Sequence, residues 1–377
     1  MRKLLLATAA TLALSSGAFA ADYNSAYVEQ VGGSNNEAFQ DQSGDHNTAR
    51  AYQTGGRSNE IGQKQSGSYN SAHASQNSGT RGGLIEQDQG GRNNTASAAQ
   101  VDVSSSGKIA QKQRGAYNRA EATQTNSSGV LISQDQNGSG NKATATQTQT
   151  NGVLFFKSSI AQKQSGDNNT AAATQDHAAA VTILQTQSGV YHKAYASQVA
   201  GTYASGIEQA QSGHGGNEAS AWQSNVGVSN IDQKQDGAGN WASARQSNSG
   251  LVFITQTQTG DHNRAEAEQS ATVGSSISQT QGGNYQSAKA EQRGTAGSRI
   301  IQVQGERGHS SGNQAIAFQI SAEEGLIKQT QSGYGNYAYA YQSGVSNQIV
   351  QIQAGTGNSA IANQYGGSGN TVTQTQR

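Results

Sequence analysis

Proline is absent from all 377 residues of the chain, and so is cysteine. Without cysteine there is no disulfide framework and no thiolate metal site. Without proline every residue keeps its backbone N–H donor, so nothing interrupts a long hydrogen-bond ladder. Hydrophobic residues are scarce, at 32%, and mean hydropathy is −0.71. By composition alone such a chain leans toward disorder, because it has few side chains with which to build an apolar core. An excess of charge of one sign is missing too: 24 basic residues balance 24 acidic ones, with no basic run. Nucleic acid and anionic membrane are therefore not expected as partners. Beyond Leu14 no long apolar segment occurs, so no transmembrane segment is expected.

What the chain has instead is one motif, I-x-Q-x-Q-x-G-x-x-N-x-A-x-A-x-Q, repeated fourteen times at a period of about 23 residues. One copy is Ile61, Gln63, Gln65, Gly67, Asn70, Ala72, Ala74 and Gln76. Others begin at Ile85 (Gln87, Gln89, Asn94), Ile109 (Gln111, Gln113, Asn118) and Ile231 (Gln233, Gln235, Asn240). A fixed short period means one small unit stacked on itself, and it overrides the composition. Within a copy the recurring residues fall on alternate positions, which places them on one face of a strand. The phase breaks between Gly67 and Asn70, as a tight turn would require. A second turn, rich in Gly, Ser and Asn, follows the last Gln, as at 54–58.

Each unit is therefore expected to be strand, turn, strand, turn. Folded as an arch, it sets Gln65 opposite Asn70, Gln63 opposite Ala72 and Ile61 opposite Ala74, so that large meets small. Stacked about 4.8 Å apart, every recurring residue sits above its own copy, and the Gln and Asn amides can bond up the column. The expected fold is all-β: a two-strand-per-turn β-solenoid, a cross-β stack of about 15 layers. It forms one domain over 21–377, with a half-unit at 24–30, fourteen repeats over about 36–364 and a half-unit at 370–376. Residues 1–20 read differently. Arg2 and Lys3 precede an apolar stretch from Leu4 to Leu14, and Ala18-Phe19-Ala20 has the small-x-small pattern of a cleavage site. They are expected to be a secretory signal peptide cleaved after Ala20, so that the mature chain is exported.

Two sets of residues stand out from this plan. Between the paired Gln residues, six successive copies carry Asp41, Lys64, Asp88, Lys112, Asp135 and Lys163. In a stack these form one outward column of alternating sign, in which a contact slipped by one turn would bring like charges together. The second set is at the ends. A lone second strand (Asn24, Ala26, Val28, Gln30) precedes the first unit, and a lone first strand (Asn370, Val372, Gln374, Gln376) follows the last. Neither carries the proline or charge that usually blocks a strand edge, so the two ends are expected to dock head to tail.

The repeat resembles the curlin repeat, S-x5-Q-x-G-x-x-N-x-A-x3-Q, of bacterial curli subunits. Gln65, Gly67, Asn70, Ala72 and Gln76 fit it, and the leading Ser is matched at Ser158, Ser205, Ser229, Ser275 and Ser298. The resemblance covers nearly all of the chain after residue 20. It implies a secreted functional amyloid that polymerises into extracellular fibres for biofilm and adhesion. It also implies a nucleator subunit, a secretion channel and periplasmic chaperones as partners. This chain carries more repeats than such subunits commonly do, and it lacks their Gly-rich N-terminal segment.

Catalysis is not expected. The seven His residues are scattered without an acid–base or metal-ligand partner at a fixed offset, and no cofactor is expected. A calcium-loaded roll would need a G-G-x-G-x-D nonapeptide, which does not occur. The alternative function is that of a monomeric extracellular β-solenoid binding a glycan or an ice surface. That reading calls for flat outer Thr arrays and capped ends, and Thr occurs here only in patches.

Overall fold

The structure is a computed structural model that describes residues 23–104, 106–152, 157–305 and 310–377. The expected signal peptide lies outside the described residues. Those residues form thirty strands, β1 to β30, and no helix. Odd-numbered strands build one fifteen-stranded sheet and even-numbered strands the other. Every pairing is parallel and joins a strand to its equivalent one repeat away, as β3 (Thr48–Thr54) to β5 (Ser71–Asn77), or β2 (Glu37–Asp45) to β4 (Glu60–Ser68). The architecture is a β-solenoid of fifteen two-strand turns.

Alternation decides which side chains go inside. In β4, Ile61, Gln63 and Gln65 are buried, while Lys64 between them is exposed. In β5, Ala72, Ala74 and Gln76 are buried and His73 points out. The Ile residues interleave with the second Ala of each repeat (Ile61, Ala74, Ile85, Ala98 and onward) into one continuous apolar strip. Each buried Ile contributes about 1.5–3 kcal/mol. The strip is narrow, and the rest of the interior is amide.

The turns are built on left-handed backbone. Gly67 has φ +95°, and a Cβ there would lie 2.1 Å from the carbonyl oxygen of Gly91, its copy in the next turn. The glycines thus stack so closely that no larger residue fits. The residue before each turn Asn is also left-handed, even where it is bulky, as at Tyr69 (φ 57°) and Tyr117 (φ 57°). Irregularities fall at turns: pairing shifts register between Ser212 and Gly215, where the sequence carries one extra residue.

The ends differ from the expectation. Neither half-unit is unpaired. β1 (Ser25–Val31) lies against β3, and β30 (Thr371–Gln376) lies against β28 (Gln348–Thr356). Because the chain winds as one continuous coil, each end must expose an edge in both sheets. The open faces are therefore β1 with β2, and β29 (Ser359–Gln364) with β30.

The stacked glycine corner gives a direct test. Gly91→Ala places a Cβ 2.0 Å from the Gly115 carbonyl oxygen at φ +102°. The left-handed strain alone costs about 1–3 kcal/mol, and the clash adds to it. Gly62→Ala, whose Cβ meets nothing within 4 Å, is the control. The expected result is a lowered urea midpoint for Gly91→Ala and an unchanged one for Gly62→Ala.

Candidate functional site

Three Gln columns run the length of the interior. Most amides donate both to the next Gln and to a backbone carbonyl. The Gln63 Nε2 group donates to Gln87 Oε1 at 2.8 Å and to the Arg50 carbonyl at 3.0 Å. Gln65 does the same with Gln89 (2.8 Å) and the Thr48 carbonyl (3.1 Å). Gln76 reaches Gln100 (2.9 Å) and the Glu60 carbonyl (3.1 Å). In the Gln63 and Gln65 columns the backbone bond goes to the strand that precedes the Gln in the chain, as β4 reaches β3. In the Gln76 column it goes back, as β5 reaches β4, or forward into the following turn, as Gln198 reaches the Ser205 carbonyl and Gln269 the Ser275 carbonyl. Gln63 and Gln65 thus bond to the preceding repeat, at the register positions of His73 and Ser71. A backbone carbonyl can only accept, so it holds the amide nitrogen toward it and fixes which way each amide points. Every Gln column is therefore directional, with N–H groups aimed toward the C-terminal end.

The turn Asn forms a fourth column. Asn70 Nδ2 donates to the Ser66 and Gly91 carbonyls, both at 3.0 Å, and its Oδ1 accepts the backbone N–H of Asn94 at 3.1 Å. Asn94, Asn118 and Asn240 repeat the pattern. The opposite turn carries a fifth column that the motif did not reveal. Ser205 Oγ accepts the Ser229 amide at 3.1 Å, and Ser229 Oγ accepts the Val252 amide at 3.3 Å. The Ser at the head of the repeat was the signal for it, unread because its spacing says nothing of what it bonds.

One rung of the Asn column is irregular. Gln286 substitutes cleanly, since its Oε1 accepts the Asn313 amide at 3.1 Å. His192 does not. Its Nε2 lies 3.2 Å from the Ser188 carbonyl, which places the proton there, and its buried Nδ1 has no partner. Burial pushes its pKa below the usual 6.5, against the Ser188 and Gly213 carbonyls, which favour the protonated form.

The six charged residues occupy one register column on the outer face, each paired with the next along the even-numbered sheet. Among the described residues only Asp88 of the six makes a direct ion pair, and it does so with Arg114 rather than a column neighbour. Cross-strand packing accounts for the outward aromatics. Arg245 lies over Trp222 at 4.1 Å and Arg264 over Trp241 at 3.8 Å, while Tyr339 packs on Phe318 and Tyr341 on Tyr365. Among the described residues no group of three or more His, Asp or Glu side chains could hold a metal, and no helix is long and apolar enough to cross a membrane.

The Gln columns end differently at the two open faces. In the last turn Gln364, Gln374 and Gln376 each donate one N–H to a carbonyl, of Asn370, Ile361 and Ser359. The second N–H, which elsewhere bonds the next Gln, faces outward. In the first turn Gln30, Gln40 and Gln42 donate to Gln53, Gln63 and Gln65, so their own Oε1 atoms face outward. Val28 and Ala38 at one end and Val372 at the other leave the apolar strip only partly buried. Of the expected docking residues, Gln30, Gln374 and Gln376 present amide groups, and Val28 and Val372 the apolar strip. Asn24 turns its amide onto the Gly44 carbonyl at 2.6 Å, and the Asn370 amide N–H is bound to Asn347 Oδ1 at 2.9 Å. Ala26 lies on β1 and pairs with Ala49.

Two outcomes follow for the columns. Gln209→Ala with Gln211→Ala strands the Oε1 atoms of Gln233 and Gln235 and the Nε2 groups of Gln185 and Gln187. At about 1–3 kcal/mol per orphaned buried group, the pair should lower the urea midpoint far more than the outward Thr257→Ala. For His192, the unfolded chain takes up a proton as pH falls through about 6.5 and the folded chain resists it, so this rung loses stability only on the acid side. His192→Asn should therefore stabilise the protein more at about pH 5 than at about pH 7.5. The lowered pKa of His73 is common to both chains and cancels in the comparison.

No protein-family model matches the chain, and no curated protein matches it either.

Proposed function

We propose that the protein is a secreted, curli-like fibre subunit that polymerises head to tail into extracellular amyloid fibres serving biofilm matrix and adhesion. The observation that carries this reading is the complementarity of the two ends. One face offers Gln N–H donors and the other Gln carbonyl acceptors, at the same three positions of the rung. Continuing the register sets β29 against β1 of the next copy and β30 against β2. Gln364 then meets Gln30, Gln374 meets Gln40, and Gln376 meets Gln42. Two like ends would set donor against donor or acceptor against acceptor, so growth is polar. Fifteen rungs of about 4.8 Å give a rise of roughly 70 Å per subunit.

Backbone direction selects the blocking substitutions. The Ser25 N–H points inward to the Asn47 carbonyl, so the Val28 N–H, an odd number of residues away, faces the open edge. In the other sheet the Gln348 N–H points toward the Asn370 carbonyl, and Gln348 pairs with Thr371. Hence Thr373 carries the outward N–H at the far end, while the Val372 N–H is turned toward β28. Val28→Pro with Thr373→Pro removes a donor from each open edge and spares the internal pairing. When residues 21–377 are diluted from denaturant, the wild-type chain should gain thioflavin fluorescence and form fibres visible by electron microscopy. The double variant should keep β-type circular dichroism yet stay short or monomeric. A wild-type chain that remains a soluble monomer for days would overturn the reading.

A further inference from the structure

We infer that the outer face bearing the charge column docks onto the same face of a second copy of this chain, with the two solenoid axes antiparallel. The face is made by six successive strands of one sheet: β2, β4, β6 (Leu84–Arg92), β8 (Lys108–Ala116), β10 (Val130–Ser139) and β12 (Ser158–Asp167). Their central column reads Asp, Lys, Asp, Lys, Asp, Lys. A run of six alternating signs is its own complement when reversed. A two-fold axis parallel to the strands, passing between β6 and β8, sets the first rung against the sixth, the second against the fifth and the third against the fourth. Asp41 then faces Lys163, Lys64 faces Asp135 and Asp88 faces Lys112, each pair occurring twice.

The flanking columns fit the same axis. On one side of the charges, Phe39 (48% exposed) faces Ala161, and Glu86 faces Ala110. In the column beyond, Glu60 faces Leu131 and Leu84 faces Lys108. In the first of these columns bulk meets small residues, and in neither do like charges meet; the like charges that do face each other are Asp45 and Asp167, at the turn end of the first and sixth strands. The three column Lys residues are exposed and make no ion pair within the described chain, so their charges are free for a partner. The opposite arrangement, with a two-fold axis along the solenoid, sets each rung against itself, Asp on Asp and Lys on Lys. Six rungs about 4.8 Å apart, with strands rising about 3.3 Å per residue, give a face of roughly 800 Å², the area per partner of a standard stable complex. The column ends where Lys163 pairs with Thr186, so the docking face is confined to the N-terminal half. It does not depend on end-to-end growth, because two separate solenoids satisfy it.

The absence of native cysteine allows a direct test by single-thiol cross-linking. Ser43 lies on the first rung and Ser165 on the sixth, in the same outward column beside the charges. The two-fold axis brings Ser43 of one copy against Ser165 of the other, while each serine lies five rungs from its own copy. Under mild oxidation, a mixture of Ser43→Cys and Ser165→Cys chains should form disulfide-linked dimers at least tenfold faster than either chain alone. The excess should vanish at roughly 500 mM NaCl, where exposed charges are screened. It should vanish as well when all six column residues are neutralised (Asp→Asn, Lys→Gln) in chains that retain the wild-type circular dichroism. End-to-end assembly cannot mimic the signal, since it brings the first rung of one copy beside the last rung of its neighbour. Equal cross-linking of either chain alone, no cross-linking of the mixture, or a mixture indifferent to salt and to neutralisation would each overturn the inference.

Discussion

The rest of this structure depends on one interaction, the bond from a Gln amide to the amide of the same Gln one turn later. A buried amide that is not fully bonded costs free energy, and the interior here is largely amide. The bond reaches its partner only if that partner is an identical side chain at the same height, one strand spacing away. This explains why inward positions repeat almost without change while outward ones vary freely. It also explains how so few hydrophobic residues suffice: Ile and Ala form a thin apolar strip, and the Gln columns on its flanks hold strand register, because a slip of one residue would turn every Gln outward.

Much of this was legible in the sequence, for physical reasons. A two-residue alternation broken by Gly-x-x-Asn can be satisfied by little other than strand, turn and strand, and a strict period can be satisfied by little other than stacking. The burial of Ile61, Gln63, Gln65, Ala72, Ala74 and Gln76 follows from those two facts. The direction of the amides does not. A letter Q is symmetric on the page, and only the Arg50 and Thr48 carbonyls show which way Gln63 and Gln65 point. The motif also gave no hint that β4 bonds back to β3, because spacing within a repeat says nothing of the winding between repeats. Asp88 was readable as a column member, but its choice of Arg114 depends on rotamers. The Ser205 and Ser229 column was visible as letters and silent as chemistry.

The turns show how far the repeat tolerates variation. Gln286 takes the place of Asn because it carries the same donor and acceptor on one longer stem. His192 offers one donor and one lone pair in a rigid ring, and the lone pair is left without a partner. Left-handed backbone at Tyr69 or Tyr117 would be costly in an isolated turn. Here the corner is held from both sides by its copies, and Tyr69 donates its backbone N–H to the Asp45 carbonyl at 3.0 Å.

The parallel pairing of each strand with its equivalent one repeat away has a consequence for how the molecule forms. The ladders connect residues separated by 22 to 28 positions and no further. Contact order therefore does not grow with the length of the chain, and each new turn needs only the turn before it as a template. A chain of this kind can fold progressively from one end as it becomes available. Its length is then set by the number of repeats encoded, since the search for partners is no harder for the last turn than for the second.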